Sequence, residues 1–327
     1  MDPGPLRPPL QTMEYRTLGK TGLKVSRLGF GAATLGNEYG TADPQESARA
    51  VNLAIDSGIN IFDVAPYYGR TLAETRLGEM VEGRRHEVII ATKCARYNKA
   101  EFDFSAGRVT QSIDESLRRL KTDYVDILHV HDIEFAHKRQ VIDETIPALR
   151  NIQAAGKARF IGITGLTVCM LREIAEETDV DCLLSYCRYN LMNTDMASTL
   201  FPLAEKQGVG LMNASPLYMR LLTPEGPLDW HPASAELREV GRQVVDLCKR
   251  RGASPSKVAL HYASAPSSIA STFVGISTQE EVLQNIGAID ATLDLSLLDE
   301  IDKLAEPVRH RIWKSGLPEN YDRMMTD

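Results

Sequence analysis

The chain has 327 residues, 43% of them hydrophobic and 25% charged, with a formal net charge of −7. That length supports one large core, and acidic charge interspersed without long single-sign blocks argues against nucleic acid or an anionic membrane surface as the main partner. No apolar run approaches the ~20 residues of a membrane span, and the five cysteines form no CxxC pair, so a reducing, cytoplasmic setting is expected.

The first twelve residues, MDPGPLRPPLQT, contain no apolar signal core, and their prolines predict a disordered, extended leader over 1–12. From residue 13 onward, short β-branched runs alternate with amphipathic helical patterns. LGFGAA precedes ESARAVNLAIDSG, NIFDVA precedes LAETRLGEMVEG, and EVIIATK precedes SAGRVTQSIDESLRRL. YVDILHVH, ARFIGIT and DCLLSYC are each followed in turn by RQVIDETIPALRNIQAAG, TVCMLREIAEET and ASTLFPLAEKQ. GVGLMNAS leads through a longer connection to VGRQVVDLCKRRG, and STFVGIS leads to TQEEVLQNIGAI. Eight such units predict an α/β fold: a closed parallel (β/α)8 barrel of the TIM type, one domain over 13–315. SPSKVALHYASA and LSLLDEIDKLAEPV fall outside the alternation as extra helices toward the C-terminus, and 316–327 reads as a tail. Gly58, Gly83, Gly156 and Gly208 fit helix C-terminal caps. The proline-rich, polar segment 217–236 is the best candidate for a mobile loop over a site.

Four residues stand where strand patterns give way to loops. Asp63 closes NIFD, Tyr68 follows five positions on, Lys93 ends EVIIATK, and His131 ends the DYVDILHVH run. In a parallel barrel these C-terminal ends share one face, which carries the chemistry. A lysine beside a phenol is expected to lower the phenol's pKa, with a carboxylate holding the lysine charged and oriented. A buried lysine is costly unless paired, and Asp63 is the natural partner. The expected product is a tyrosine that exchanges a proton near neutral pH, as carbonyl reduction or alcohol oxidation requires. His131 is suited to polarising a substrate oxygen. His129 makes an HxH string with it, but His86, His137, His231, His261 and His310 do not fall at the ends of other strands, so no metal set is predicted. Alternation puts His129 on the same side of its strand as His131, as a packed or supporting group. Cys94 follows Lys93 without a nearby Cys–His pair, and Cys182 and Cys187 read as small packing residues. A hydride needs an acceptor, and without a flavin or metal signature that acceptor is a nicotinamide. GFGAAT and GVGLMN lack the third glycine of a GxGxxG, so a Rossmann domain is not indicated.

The strings YRTLGKTGLKVSRLGFGA, DVAPYYG, ATKC, DYVDILHVHD, GKARFIGITG, ASPL and VGISTQEEVLQN, in this order, resemble the aldo-keto reductase family. FDFSAGRVTQSIDESLRRL, LSYC and WHPAS resemble its L-galactose dehydrogenase group in particular. The resemblance implies Tyr68, at the family spacing from Asp63, as the proton-transfer residue rather than its neighbour Tyr67. It implies a dinucleotide across the barrel mouth, with Gly31 and Ala32 near the nicotinamide. The family's Ser-Asn pair for the carboxamide falls on Thr164 and Gly165, and its glutamine on Tyr186, two departures shared with the L-galactose dehydrogenase pattern. Ser215 and Leu217 would line the pyrophosphate, and the helix after Ser277 and Thr278, bearing Glu281 and Asn285, would offer free N–H groups to phosphate. Glu281 stands where NADP-dependent relatives carry a cation, so NAD is expected, with NADP as the alternative. Thr278 and Glu281 also form a capping-box pattern. Arg220 replaces a glycine of the family's SPLxxGLLT. The implied activity is oxidation of the anomeric carbon of an L-galactose-like sugar to its lactone. Alternatives are L-fucose or another aldose, NADPH-dependent aldehyde reduction, and a cofactor-binding regulatory subunit.

Overall fold

The alternation resolves, in a computed structural model that describes residues 13–322 and the backbone of 325–326, into a closed barrel of eight parallel strands. They are β1 (Leu28–Gly31), β2 (Ile61–Asp63), β3 (Ile89–Cys94), β4 (Val125–Val130), β5 (Ala158–Gly165), β6 (Cys182–Tyr186), β7 (Gly210–Ala214) and β8 (Ser271–Gly275). Each pairs with its successor, and β8 returns to β1 with Gly275 opposite Gly31. Both faces of every strand are covered, which is why the runs read as nearly continuous apolar sequence. Ile61, Ala91, Ile127, Leu184, Met212 and Phe273 fill the barrel interior. Phe62, Ile90 and Leu128, one position out of phase, join the core under the helices. A hairpin pairing Tyr15–Thr17 with Lys24–Ser26 precedes β1, and its Leu18, Leu23 and Val25 pack into that interior cluster.

The longer helices are α1 (Pro44–Asp56), α2 (Leu72–Met80), α3 (Ala106–Leu120), α4 (Ile146–Ala154), α5 (Val168–Glu177), α6 (Phe201–Gln207), α7 (Ala235–Arg250), α8 (Pro255–Ser264), α9 (Gln279–Ile289) and α10 (Leu295–Ala305). Among the described residues none is long and apolar enough to cross a membrane. Gly58, Gly83, Gly156 and Gly208 all take positive φ just past helix ends.

One assignment is corrected. The seventh unit's helix is α8, not α7: α8 packs on β8 and α9, whereas α7 lies against α10. Leu237, Val240, Val244 and Leu247 of α7 share a separate core with Leu297 and Ile301 of α10. Periodicity shows that a helix has an apolar stripe but not which partner covers it. The leader 1–12 lies outside the described residues. Residues 316–322 fold back on the barrel: Leu317 N–H donates to Glu134 O, and Asp322 accepts from the N–H groups of Val168 and Cys169 and from buried Arg188.

Candidate active site

Strand phase determines where the polar groups go. Ile61, Ala91 and Ile127 point into the barrel, so Asp63, Lys93 and His129, two residues further along, do so as well. They lie one layer nearer the mouth, and His131 follows β4 in the same phase. The Lys93 ammonium donates to both Asp63 carboxylate oxygens at 2.7 Å, to Val64 O at 3.0 Å and to Tyr68 Oη at 3.1 Å. Lys93 and Asp63 are 1% and 4% exposed, so the pair is desolvated. The Tyr68 hydroxyl donates weakly to Asp63 at 3.4 Å, and its ring meets the His131 ring edge-on at 5.8 Å. The Tyr67 ring packs edge-on against Tyr68 and His131, with the Arg96 guanidinium 3.8 Å over it.

These groups open into a cavity of about 930 Å³ that reaches from the tetrad of Asp63, Tyr68, Lys93 and His131 to Asn285. Burial, then the nearby Asp63 carboxylate, push the Tyr68 phenol well above its ordinary value. The sequence expectation of a depressed pKa is therefore corrected: desolvation dominates, Asp63 and Asp132 push the same way, and Arg96 opposes them. Tyr68 is a neutral phenol in the free protein, a proton donor as it stands. Burial, with Lys93 and Arg96 nearby, holds His131 well below the usual histidine range, as a neutral imidazole. Its Nδ1 has no hydrogen-bond partner among the described residues. His129 is likewise neutral, pushed down to about 3 by burial, with Nε2 3.5 Å from Cys182 Sγ inside the barrel. Among the described residues no cluster of metal-ligating side chains occurs.

Gly31, Asp63, Thr164, Tyr186, Ser215, Leu217, Ser277, Glu281 and Asn285 line the cavity, whereas Ala32 and Gly165 do not. Ala32 is buried. At Gly165, an added Cβ would lie 2.5 Å from Glu134 Oε2, so a neighbouring carboxyl holds that space. The helix terminus after Ser277 is also corrected. Most of its N–H groups are taken: Glu281 accepts from Ser277 and Thr278, Glu46 of α1 accepts from Gln279, and Thr278 Oγ1 accepts from Glu281 N–H. Two carboxylates occupy the anion site that the helix dipole would otherwise offer.

Residues not singled out from sequence complete the cavity. Arg96 and Asp132 form an ion pair beside His131. Each follows shortly after a strand end, a signal that could have marked them. Tyr39, Trp230, Trp313 and Ser315 also line the cavity, and the Tyr39 and Trp230 rings approach to 5.9 Å across it. Segment 217–236, expected as a loop over the site, supplies Leu217, Met219, Arg220, Pro224 and Trp230 to the lining. Arg220 takes φ +78 at the position that the family pattern gives to glycine. Its side chain and that of Lys257 line the cavity without an acidic partner among the described residues.

A dinucleotide fits these residues: Thr164 and Tyr186 stand near the tetrad, and the unpaired Arg220 and Lys257 cations suit a diphosphate.

A closed parallel barrel with this site defines an NAD(P)-dependent oxidoreductase, and the chain belongs to the aldo/keto reductase family, whose model matches residues 27–306. It is 45% identical to L-galactose dehydrogenase of Arabidopsis thaliana, covering 94% of this chain and 99% of that one. It is 29% identical to D-arabinose 1-dehydrogenase of Saccharomyces cerevisiae, covering 90% of this chain and 95% of that one. The holo form of aldo-keto reductase AKR11C1 from Bacillus halodurans superposes with a TM-score of 0.75 at 27% identity, over 89% of this chain and 96% of that one.

Proposed function

We propose that this protein oxidises the anomeric carbon of an L-galactose-like aldose to its lactone, with NAD as hydride acceptor. The observation that carries this reading is the Asp63–Lys93–Tyr68 cluster, hydrogen-bonded at the mouth of the barrel beside neutral His131. Likeness to a sugar dehydrogenase over nearly the whole chain supports the substrate class. The bound nicotinamide would take the hydride from the sugar's C1 as the C1–O bond becomes a carbonyl. The hydroxyl proton passes to Tyr68 Oη once the phenol has ionised, and Lys93, 3.1 Å away, stabilises that phenolate. Because burial raises the phenol, oxidation should gain rate as pH rises, while the reverse reduction uses the neutral phenol directly. His131 donates a hydrogen bond to the reacting oxygen, and Arg96 and Asp132 offer donors and an acceptor to neighbouring hydroxyls.

NAD is favoured over NADP because a 2′-phosphate near Ser277 would meet the carboxylates of Glu281 and Glu46. The test is a panel of aldoses, including L-galactose, L-fucose and D-arabinose, with NAD and with NADP. Turnover of L-galactose with NAD is expected to be the most efficient. Efficient aldehyde reduction with NADPH and no sugar oxidation would overturn the reading.

A further inference from the structure

The space vacated by a side chain at Gly165 is filled from another loop. Glu134, fully buried just after β4, places Oε2 where a Cβ on Gly165 would come within 2.5 Å. Its Oε1 accepts from Leu166 N–H at 3.1 Å, from Tyr186 Oη at 3.2 Å and from Ser315 Oγ at 3.5 Å. Its main-chain oxygen accepts from Leu317 N–H and from the Asn320 amide. Tyr186 and Ser315 both line the catalytic cavity, one at the end of β6 and one on the C-terminal segment. Oε2 itself is buried and has no hydrogen-bond partner among the described residues.

We propose that Glu134 is a positioning residue that locks the Tyr186 wall of the cavity to the 315–320 segment, and that it does so as a neutral carboxylic acid. This rests on the reading of Tyr186 and Thr164 as the nicotinamide end. An ionised Glu134 would leave a charged oxygen buried and unpaired, an expensive state. The groups facing it reinforce this. Asp132, on the same loop, is a like charge, and Arg96 is already paired with Asp132. Tyr186 on β6 is a neutral phenol, Ser315 and Asn320 are uncharged, and Lys314 sits 6.0 Å from the Tyr321 ring. The β5 end contributes only the backbone of Gly165 and Leu166. Burial, then Asp132, push the Glu134 carboxyl up to about 8, so the lock weakens as pH passes through that value.

The decisive comparison is wild type with Glu134→Gln, which keeps the shape and removes the titration. With L-galactose and NAD, KM of the wild type should climb above pH 8, approaching tenfold per pH unit if only the neutral form is competent. In Glu134→Gln, KM should stay flat, while the pH dependence of kcat, set by Tyr68, survives in both. Identical KM profiles in the two proteins would overturn the proposal. Urea denaturation of the cofactor-free proteins reads the same group without turnover. A carboxyl raised in the folded state contributes stability that is full at low pH and lost as pH rises from 4.5 toward 8. The stability of wild type relative to Glu134→Gln must therefore fall over that window, and a constant difference would also overturn the proposal. Should L-galactose not be turned over at all, the substrate reading fails and denaturation alone decides Glu134. Should Glu134→Gln not fold, Tyr186→Phe takes its place. It deletes a donor that favours the carboxylate, so the step in wild-type stability must move to higher pH, and an unmoved step refutes the contact.

Discussion

Lys93→Met tests the centre of the site most directly. In the native protein the ammonium satisfies four acceptors, and its partner Asp63 is only 4% exposed. Removing the cation leaves a buried carboxylate whose remaining donor is a 3.4 Å contact from Tyr68. Breaking one side of such a pair costs roughly 3–5 kcal/mol, a large part of the ~5–15 kcal/mol that holds a domain together. Asp63 escapes part of this by taking up a proton, since burial already raises its carboxyl. The double variant Asp63→Asn/Lys93→Met removes both charges and should recover most of the lost stability, yet no activity. For the single variant, the oxidation profile should move to higher pH as well as lower rate, because the phenolate of Tyr68 has lost its cation. Urea unfolding gives the stabilities, and NADH formation across a pH series gives the rates. If Lys93→Met is as stable as wild type, or keeps the wild-type pH midpoint, the pair is neither desolvated nor coupled to Tyr68 as argued.

Three further outcomes are expected. Tyr68→Phe should lower turnover by roughly two to four orders of magnitude with NADH affinity nearly unchanged; fluorescence titration and steady-state rates check this, and near-normal turnover would return attention to Tyr67. Glu281→Gln removes a charge while keeping an acceptor for Ser277 and Thr278, and should narrow the NAD-over-NADP preference several-fold in binding titrations; Glu281→Arg should narrow it further but also lose the capping box, costing about 1 kcal/mol in unfolding experiments. Asp322→Asn weakens the tie between the C-terminal segment, Arg188 and the start of α5; a loss of about 1–3 kcal/mol is expected, with KM for the sugar raised more than the dissociation constant of NADH, because Trp313 and Ser315 line the cavity just upstream.

How much of this was legible beforehand follows from the range of each signal. A strand's two-residue period is local, so the sequence shows that Asp63, Lys93 and His131 leave their strands at one end, and a parallel barrel gathers those ends. Thr278 and Glu281 likewise announce a cap three residues apart. Other features depend on partners far along the chain. That α7 belongs with α10 and not with the barrel is decided by which apolar stripe each covers. That the N–H of Gln279 is taken by Glu46 depends on a helix more than two hundred residues earlier. The protonation of Tyr68 could not be read from its neighbours, since Lys93 and Asp63 argue in opposite directions and burial, a property of the whole fold, settles the balance. Gly165 reads in sequence as a missing side chain. Only the folded protein shows the Glu134 carboxyl in its place, because space in a close-packed interior is filled from whichever loop reaches it.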